Sequence, residues 1–468
     1  MPVIVLIADG VRVDTLSSSL DSGALPSMAR LRAEGGLHEV TSAFPSVTGP
    51  AYTPFLMGRF PGSVGLPGLR WFDRSREACS FPDYTRSYVG YQMSAVNRDI
   101  DASASTIFEL VPESAAALSM ITRGLPRRRQ LASLSPGSAF RAARTHFGGD
   151  LRGWLRVDRD VSANVIDCVR ASHTPFVFAA FTGVDKYSHA RGQRAECVLE
   201  ALRIVDDTVA SLRSDLEDRG IWDETCLWIT SDHGHSRVRH HEDLERVIGF
   251  LGYRVLAHPW VYRLGADVAV MVSGNAMAHV YVDLAERARP FWHGMSERGR
   301  ELAAHLLGHV SVDLLCVPMD ATTCEVRSRT RGRATVSRSG HFYAYLPIDG
   351  DPLGIGRELH GVGAIDAHDA TQMTEYPDSV VQIARLSGSG RAGDFILSAA
   401  RDWDFRARYE PIPHVSSHGA LHREHMMVPL LLNRPPARSP RRTTDVMPSA
   451  LTALGIEVPQ GLDGESFV

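Results

Sequence analysis

The 468-residue sequence has no apolar run approaching the ~20 residues that a membrane-crossing helix needs, so no membrane span is expected. It has no basic excess either. Lys and Arg number 50 against 54 Asp and Glu, a formal net charge of -4, which argues against a nucleic-acid partner. The basic clusters Arg127-Arg128-Arg129 and Arg441-Arg442 are short and read as solvated loops. Six cysteines, at 79, 168, 197, 226, 316 and 324, show no CxxC spacing, which excludes a zinc knuckle and a redox pair of that type. Without a disulfide framework the expected setting is reducing, and the expected location cytoplasmic. The aliphatic run at the N-terminus is too short for a signal sequence and ends in Asp9-Gly10, so it reads as a first core strand.

What is present is ordinary in bulk and informative in pattern. Hydrophobic residues make up 44% and charged residues 22%, enough to bury a sizeable core. Three apolar runs read as buried strands with an acid at or just past the end: Pro2–Ala8 before Asp9, Pro175–Val184 before Asp185, and Cys226–Ile229 before Asp232. In an open α/β sheet, ligands bind beyond the carboxyl ends of the strands. One such Asp is most simply a turn cap. Three of them, with His189 four residues after Asp185, His233 next to Asp232, and His418 before the strand-like run Met426–Asn433, point to a shared site. An i,i+4 pair such as Asp185 and His189 faces one point if the segment is helical. His235 has no strand end or motif position of its own and stays outside this set.

Thr48 falls where a loop rich in hydroxyls, Val40 to Pro50, enters an apolar segment. Two readings are open: a threonine capping the helix N-terminus, or a nucleophile. Asp and His at this density suit one or two divalent metals, with Zn²⁺ favoured over Mg²⁺ or Ca²⁺ by the mixed O/N donors. Two ions ~4 Å apart can serve an attacking and a leaving oxygen at once, a geometry suited to phosphoryl transfer.

For the rest of the chain, helical periodicity marks Pro26–Gly36, Asp158–Ala171 and Arg194–Glu217. Leu125 to Phe147 reads as an excursion. Ala266–Val272 and Ala278–Val282 flank Gly274-Asn275 as an antiparallel pair. The cluster His240-His241-Glu242 has no strand signal to position it. The expected fold is a mixed, largely parallel central sheet flanked by helices. Residues 1–235 and 392–468 are assigned to this α/β core, and 236–391 to an inserted α+β cap subdomain.

Five motifs in order, Ile7-Ala8-Asp9-Gly10, Phe44-Pro45-Ser46-Val47-Thr48-Gly49-Pro50, Asp185-Lys186-Tyr187-Ser188-His189, Ser231-Asp232-His233-Gly234 and Ser417-His418-Gly419-Ala420, resemble the alkaline phosphatase superfamily. The similarity is to its nucleotide pyrophosphatase/phosphodiesterase branch in particular. The tail, with Asp445, Pro448, Leu454-Gly455 and Leu462-Asp463-Gly464, resembles that superfamily's C-terminal finish. The resemblance implies that Asp185, His189 and His418 hold one metal and Asp9, Asp232 and His233 a second, with Thr48 bridging toward it. It further implies that Thr48 attacks phosphorus to give a phosphothreonine, later hydrolysed by metal-activated water. The implied substrate is a small-molecule phosphate ester.

Two departures mark the sequence. The branch usually has Lys before the nucleophile, and here Val47 stands there; it carries an Asn some twenty residues later, where this chain has Leu69 and Arg70. Arg70 or Asn97 are the candidates for the missing contact to a phosphate oxygen. The competing readings are a phosphomonoesterase or phosphonate hydrolase with the same site, and a non-catalytic metal-binding relative. A sulfatase needs a Cys or Ser in place of Thr48, and a metal-dependent phosphoglycerate mutase needs a serine nucleophile.

Overall fold

The structure is a computed structural model that describes residues 1–75, 85–89, 92–131, 144–145, 148–171, 173–257, 265–284, 296–405 and 414–468. Cys79 and most of the second half of the 125–147 excursion lie outside the described residues. No described helix is long and apolar enough to cross a membrane.

A seven-stranded sheet runs in the order Leu37–Thr41, Met427–Leu432, Cys226–Thr230, Val3–Ala8, Phe176–Phe181, Ala115–Ala117, Gln130–Leu131. Val3–Ala8 pairs in parallel with Phe176–Phe181 on one side and Cys226–Thr230 on the other. Both faces of these strands are apolar, which is why they read as continuous hydrophobic runs. On one face Leu6, Ala179, Phe181 and Ile229 pack against Val161, Leu202 and Val205 of the helices Leu151–Ala171 and Glu196–Asp218. On the other face Val5, Phe178 and Trp228 pack with Phe55, Met447 and Leu451.

Only Met427–Leu432 runs against the rest, pairing antiparallel with both Cys226–Thr230 and Leu37–Thr41. That reversal decides where His418 goes. An antiparallel strand begins at the edge where its parallel neighbours end, so the chain leading into Met427 crosses the same edge as Asp9 and Asp232.

A nine-stranded sheet forms from Val255–Ala257, Val268–Ser273, Met277–Val282, Phe395–Ala399, Val312–Pro318, Thr323–Ser328, Gly332–Ser339, Phe342–Pro347 and Leu359–Val362, in that spatial order. Its hairpin turns at Gly274 and Asn275, both with positive φ, +61° and +65°.

Two strand readings need correction. Phe395–Ala399, read as the resumption of the core, pairs instead with Met277–Val282 and Val312–Pro318 in the second sheet. An apolar run fits either sheet, and its composition does not name its partners. Ser236–His241 is a strand after all, paired with Asp402–Asp404 and Ser416–Ser417. Only Val238 of its six residues is buried, which left no alternation to detect.

Candidate metal centre

Three of the expected ligands reach the sheet edge through short exits from adjacent strands. Asp9 follows Ala8, and its N–H bonds to Phe181 O at 3.0 Å; Asp232 and His233 follow Thr230. The fourth, Asp185, sits in the first turn of the helix Gly183–Arg191, with His189 in its last turn. That helix has a support invisible in the sequence. The buried Asp158 carboxylate, on the helix Leu151–Ala171, accepts from the N–H groups of Thr182 and Gly183, each at 2.8 Å, and so caps its N-terminus. Burial pushes the Asp158 carboxyl up to about 7 despite these donors.

The structure brings all six expected ligands and Thr48 together. Asp9, Asp232 and His233 place one donor atom each within 4.8 Å of the others. His233 Nε2 lies 3.3 Å from Asp9 Oδ1 and 3.6 Å from Asp232 Oδ2. Thr48 Oγ1 lies 3.1 Å from His233 Nε2 and 3.3 Å from Asp9 Oδ1. The helix-entry position is Gly49 and the Thr48 hydroxyl caps no helix N–H, so the capping reading does not hold. Around Asp185 Oδ1 stand His189 Nε2 at 3.2 Å, His418 Nε2 at 3.6 Å and His235 Nε2 at 2.9 Å. Its other oxygen, Oδ2, is held by Lys186 Nζ at 2.7 Å.

The donor set fits cations on three counts. First, His189, His233 and His418 each turn Nδ1 to a backbone carbonyl, of Ser416, Gly234 and Ser46, at 2.9, 3.1 and 2.9 Å. A carbonyl only accepts, so Nδ1 carries the proton and Nε2 presents a lone pair. Those lone pairs converge on carboxylate oxygens, an arrangement that repels unless something positive lies between. Second, Asp232 Oδ2 is buried without a hydrogen-bond partner, although its Oδ1 accepts from His233 N and Gly10 N. Third, Asp9 and Asp232 are both fully buried. Two carboxylates ~4 Å apart repel by roughly 4 kcal/mol at an effective dielectric constant of 20. Burial, with the charges of Asp232 and Asp185, accordingly pushes the Asp9 carboxyl well above its ordinary value. Burial acts the same way on Asp185, but Lys186 and His189 overcome it and hold that carboxyl well below the usual range.

The second sheet reaches this centre through its hairpin tip. Ala276 N donates to His418 O at 3.0 Å, and Ser417 Oγ donates to Gly274 O at 3.0 Å. A Cβ on Gly274 would stand 2.9 Å from both His418 Nδ1 and His418 O, so this turn needs glycine for space as well as for φ. Asn275 hydrogen-bonds His414, whose ring stacks on His189 with centroids 4.4 Å apart. None of this was legible in the sequence, because nothing local connects residues 274–275 to 418. His241, from the polar cluster, bonds Asp404 Oδ1 at 2.6 Å.

The two candidates for a phosphate-oxygen contact are placed differently. Asn97 bonds Thr122 at both ends of its amide, Nδ2 to Oγ1 at 3.0 Å and Oδ1 from the Thr122 N–H at 2.8 Å, and bonds none of the seven site residues. Arg70 is buried, with Nη1 donating to Val272 O at 3.3 Å. Leu69 lies beside Gly49, the residue after Thr48: a Cβ on Gly49 would meet Met120 Sδ at 2.8 Å and Leu69 Cδ1 at 3.8 Å.

Known proteins share this architecture. No curated protein matches the sequence. Among solved structures, phosphonoacetate hydrolase from Sinorhizobium meliloti 1021, in complex with phosphonoformate, superposes with a TM-score of 0.59 at 15% identity, over 97% of this chain and 96% of that one. Human ectonucleotide pyrophosphatase/phosphodiesterase 5 superposes with a TM-score of 0.58 at 15% identity, over 99% and 97%. An inactive variant of the murine counterpart, in complex with AMP, gives 0.57 at 15% identity, over 99% and 97%. These likenesses agree on the mixed α/β fold. Residues 3–347 match the family model for type I phosphodiesterase / nucleotide pyrophosphatase. The chain belongs to this family of phosphate-ester hydrolases.

Proposed function

We propose that the protein hydrolyses a small-molecule phosphodiester or nucleotide pyrophosphate through a phosphothreonine on Thr48, with two divalent metal ions, Zn²⁺ by the donor chemistry. The observation that carries this reading is the Thr48 hydroxyl, 3.1 Å from His233 Nε2 and 3.3 Å from Asp9 Oδ1, at the rim of a buried cluster of carboxylates and Nε2 lone pairs. Asp9, Asp232 and His233 would hold the ion beside Thr48, and Asp185, His189 and His418 the other. Bound ions supply Lewis acidity to phosphoryl oxygens and lower the pKa of a coordinated hydroxyl. Thr48 Oγ forms the new bond to phosphorus, the ester oxygen leaves with its electron pair, and water then cleaves the phosphothreonine. The carbonyls of Gly234, Ser46 and Ser416 keep the three imidazoles in one tautomer throughout.

Where an amide donor is expected some twenty residues after Thr48 the chain has Leu69 and Arg70, so this reading rests on the reaction class and not on a nucleotide. A phosphonate hydrolase with the same site is the alternative. A cytoplasmic setting belongs to the proposal, supported by five unpaired cysteines among the described residues. The test compares bis-p-nitrophenyl phosphate, p-nitrophenyl phosphate and phosphonoacetate, each with and without chelator. Chelator-sensitive turnover strongest on the diester is the expected result. A strong preference for the monoester or for phosphonoacetate overturns the diesterase reading, and no turnover of any of the three favours a binding protein.

A further inference from the structure

His235 stands at the heart of the cluster, wholly buried, with Nε2 2.9 Å from Asp185 Oδ1. By distance alone it counts as a ligand, since one donor atom from each of Asp185, His233, His235 and His418 falls within 4.8 Å of the rest. Its hydrogen bonding says otherwise. The other three imidazoles give Nδ1–H to carbonyls, whereas His235 turns Nδ1 to a hydroxyl, Ser416 Oγ, at 3.2 Å.

A hydroxyl can donate or accept, so its surroundings decide. Ser416 is buried, and His235 Nδ1 is the one hydrogen-bond partner of its Oγ among the described residues. If Nδ1 carried the proton, the Ser416 O–H would be left buried without an acceptor. If Ser416 donates to Nδ1 instead, that conflict vanishes and Nε2–H donates to Asp185 Oδ1 at 2.9 Å.

We infer that His235 is a positioning residue for Asp185 and not a metal ligand. The relay Ser416 O–H to His235 Nδ1, then Nε2–H to Asp185 Oδ1, fixes one lone pair of that oxygen while Lys186 holds Oδ2. The other lone pair of Oδ1 is thereby aimed between His189 Nε2 and His418 Nε2. Gly10 makes the arrangement possible. Its φ is +77°, and a Cβ there would stand 2.8 Å from His235 Nε2.

This inference rests on the two-metal reading, and its test separates the two. Full-length protein is stripped with chelator and titrated with Co²⁺, following affinity by competition and coordination by the visible d–d spectrum. Wild type, His235→Leu, His235→Gln and Ser416→Ala are compared, with thermal melts of the metal-free forms as a folding control. A hydrogen bond from a neighbouring side chain to a metal ligand typically accounts for about 10–100-fold in metal affinity. His235→Leu should therefore weaken one Co²⁺ by about that factor and leave the spectrum at saturation unchanged. His235→Gln, which keeps a donor near the Nε2 position, should recover most of the loss. Ser416→Ala should weaken binding in the same direction by less. A changed spectrum at saturation in both His235 variants would make His235 a ligand and overturn the proposal, as would wild-type affinity in His235→Leu. Should His235→Leu fail to fold, the Gln and Ser416 variants decide by the same readouts. Wild type that binds no Co²⁺ would overturn the metal reading itself.

Discussion

Asp9, Asp232 and His233 leave two adjacent parallel strands and reach the edge within three residues of a strand's end. Asp185, His189 and His418 come from a helix and from a loop clamped by the tip of the second sheet. The first half of the cluster is set by the register of one sheet. The second is assembled from parts more than 200 residues apart, and depends on Asp158 beneath the helix and on Gly274 against His418. Electrostatics divides the same way. The half beside Thr48 concentrates buried carboxylates, so Asp9 is driven toward its protonated form, whereas Lys186 and the histidines keep Asp185 ionised. The difference teaches that one half is a property of strand ends and the other of tertiary support, so each should fail to different substitutions.

The largest expected effects lie in the half beside Thr48. Thr48→Ala should lower turnover at least ~10³-fold with metal content unchanged, because it removes the attacking atom and no essential ligand; retained turnover rules out the phosphothreonine. Asp9→Asn should also lower turnover at least ~10³-fold, but with one of the two ions lost by elemental analysis, since it removes a ligand charge beside Thr48.

A smaller effect is expected in the supported half. Gly274→Val puts side-chain atoms against His418, so affinity for one ion should fall by about 10–100-fold while the Thr48 half keeps its own. If that variant instead lost both ions together, the halves would not be separately built.

How far the sequence reached follows the same division. Asp9, Asp232 and His233 were legible because aliphatic runs end beside them, and the reversed strand Met427–Leu432 was legible as a strand, though not as the reason His418 arrives. The i,i+4 spacing of Asp185 and His189 was read as it stands. Asp158, Gly274, Asn275 and Ser416 left no signal, because each acts on residues remote in sequence through hydrogen bonds or close approach. His235 has no strand end beside it, and its role emerges only from what faces its two nitrogens. Asn97 stands out by residue type alone, and its amide is engaged by Thr122.

The smallest effect concerns Asp158. Its carboxyl is raised from 3.8 to about 7 in the folded state. A raised acid holds its proton more tightly when folded, so its contribution is full below the unfolded pKa and is lost as pH rises from about 4 to about 7. Asp158→Asn should flatten that part of the thermal-midpoint profile of the metal-free protein. An unchanged slope would mean that the two N–H donors keep the group ionised.

The most direct test of two separately built metal sites is anomalous diffraction at the zinc edge from crystals of the zinc-loaded wild type and Asp9→Asn. The account predicts two peaks in the wild type, one among Asp9, Asp232 and His233 and one among Asp185, His189 and His418, with only the second left in Asp9→Asn. A single peak in the wild type, or loss of both in Asp9→Asn, would contradict it.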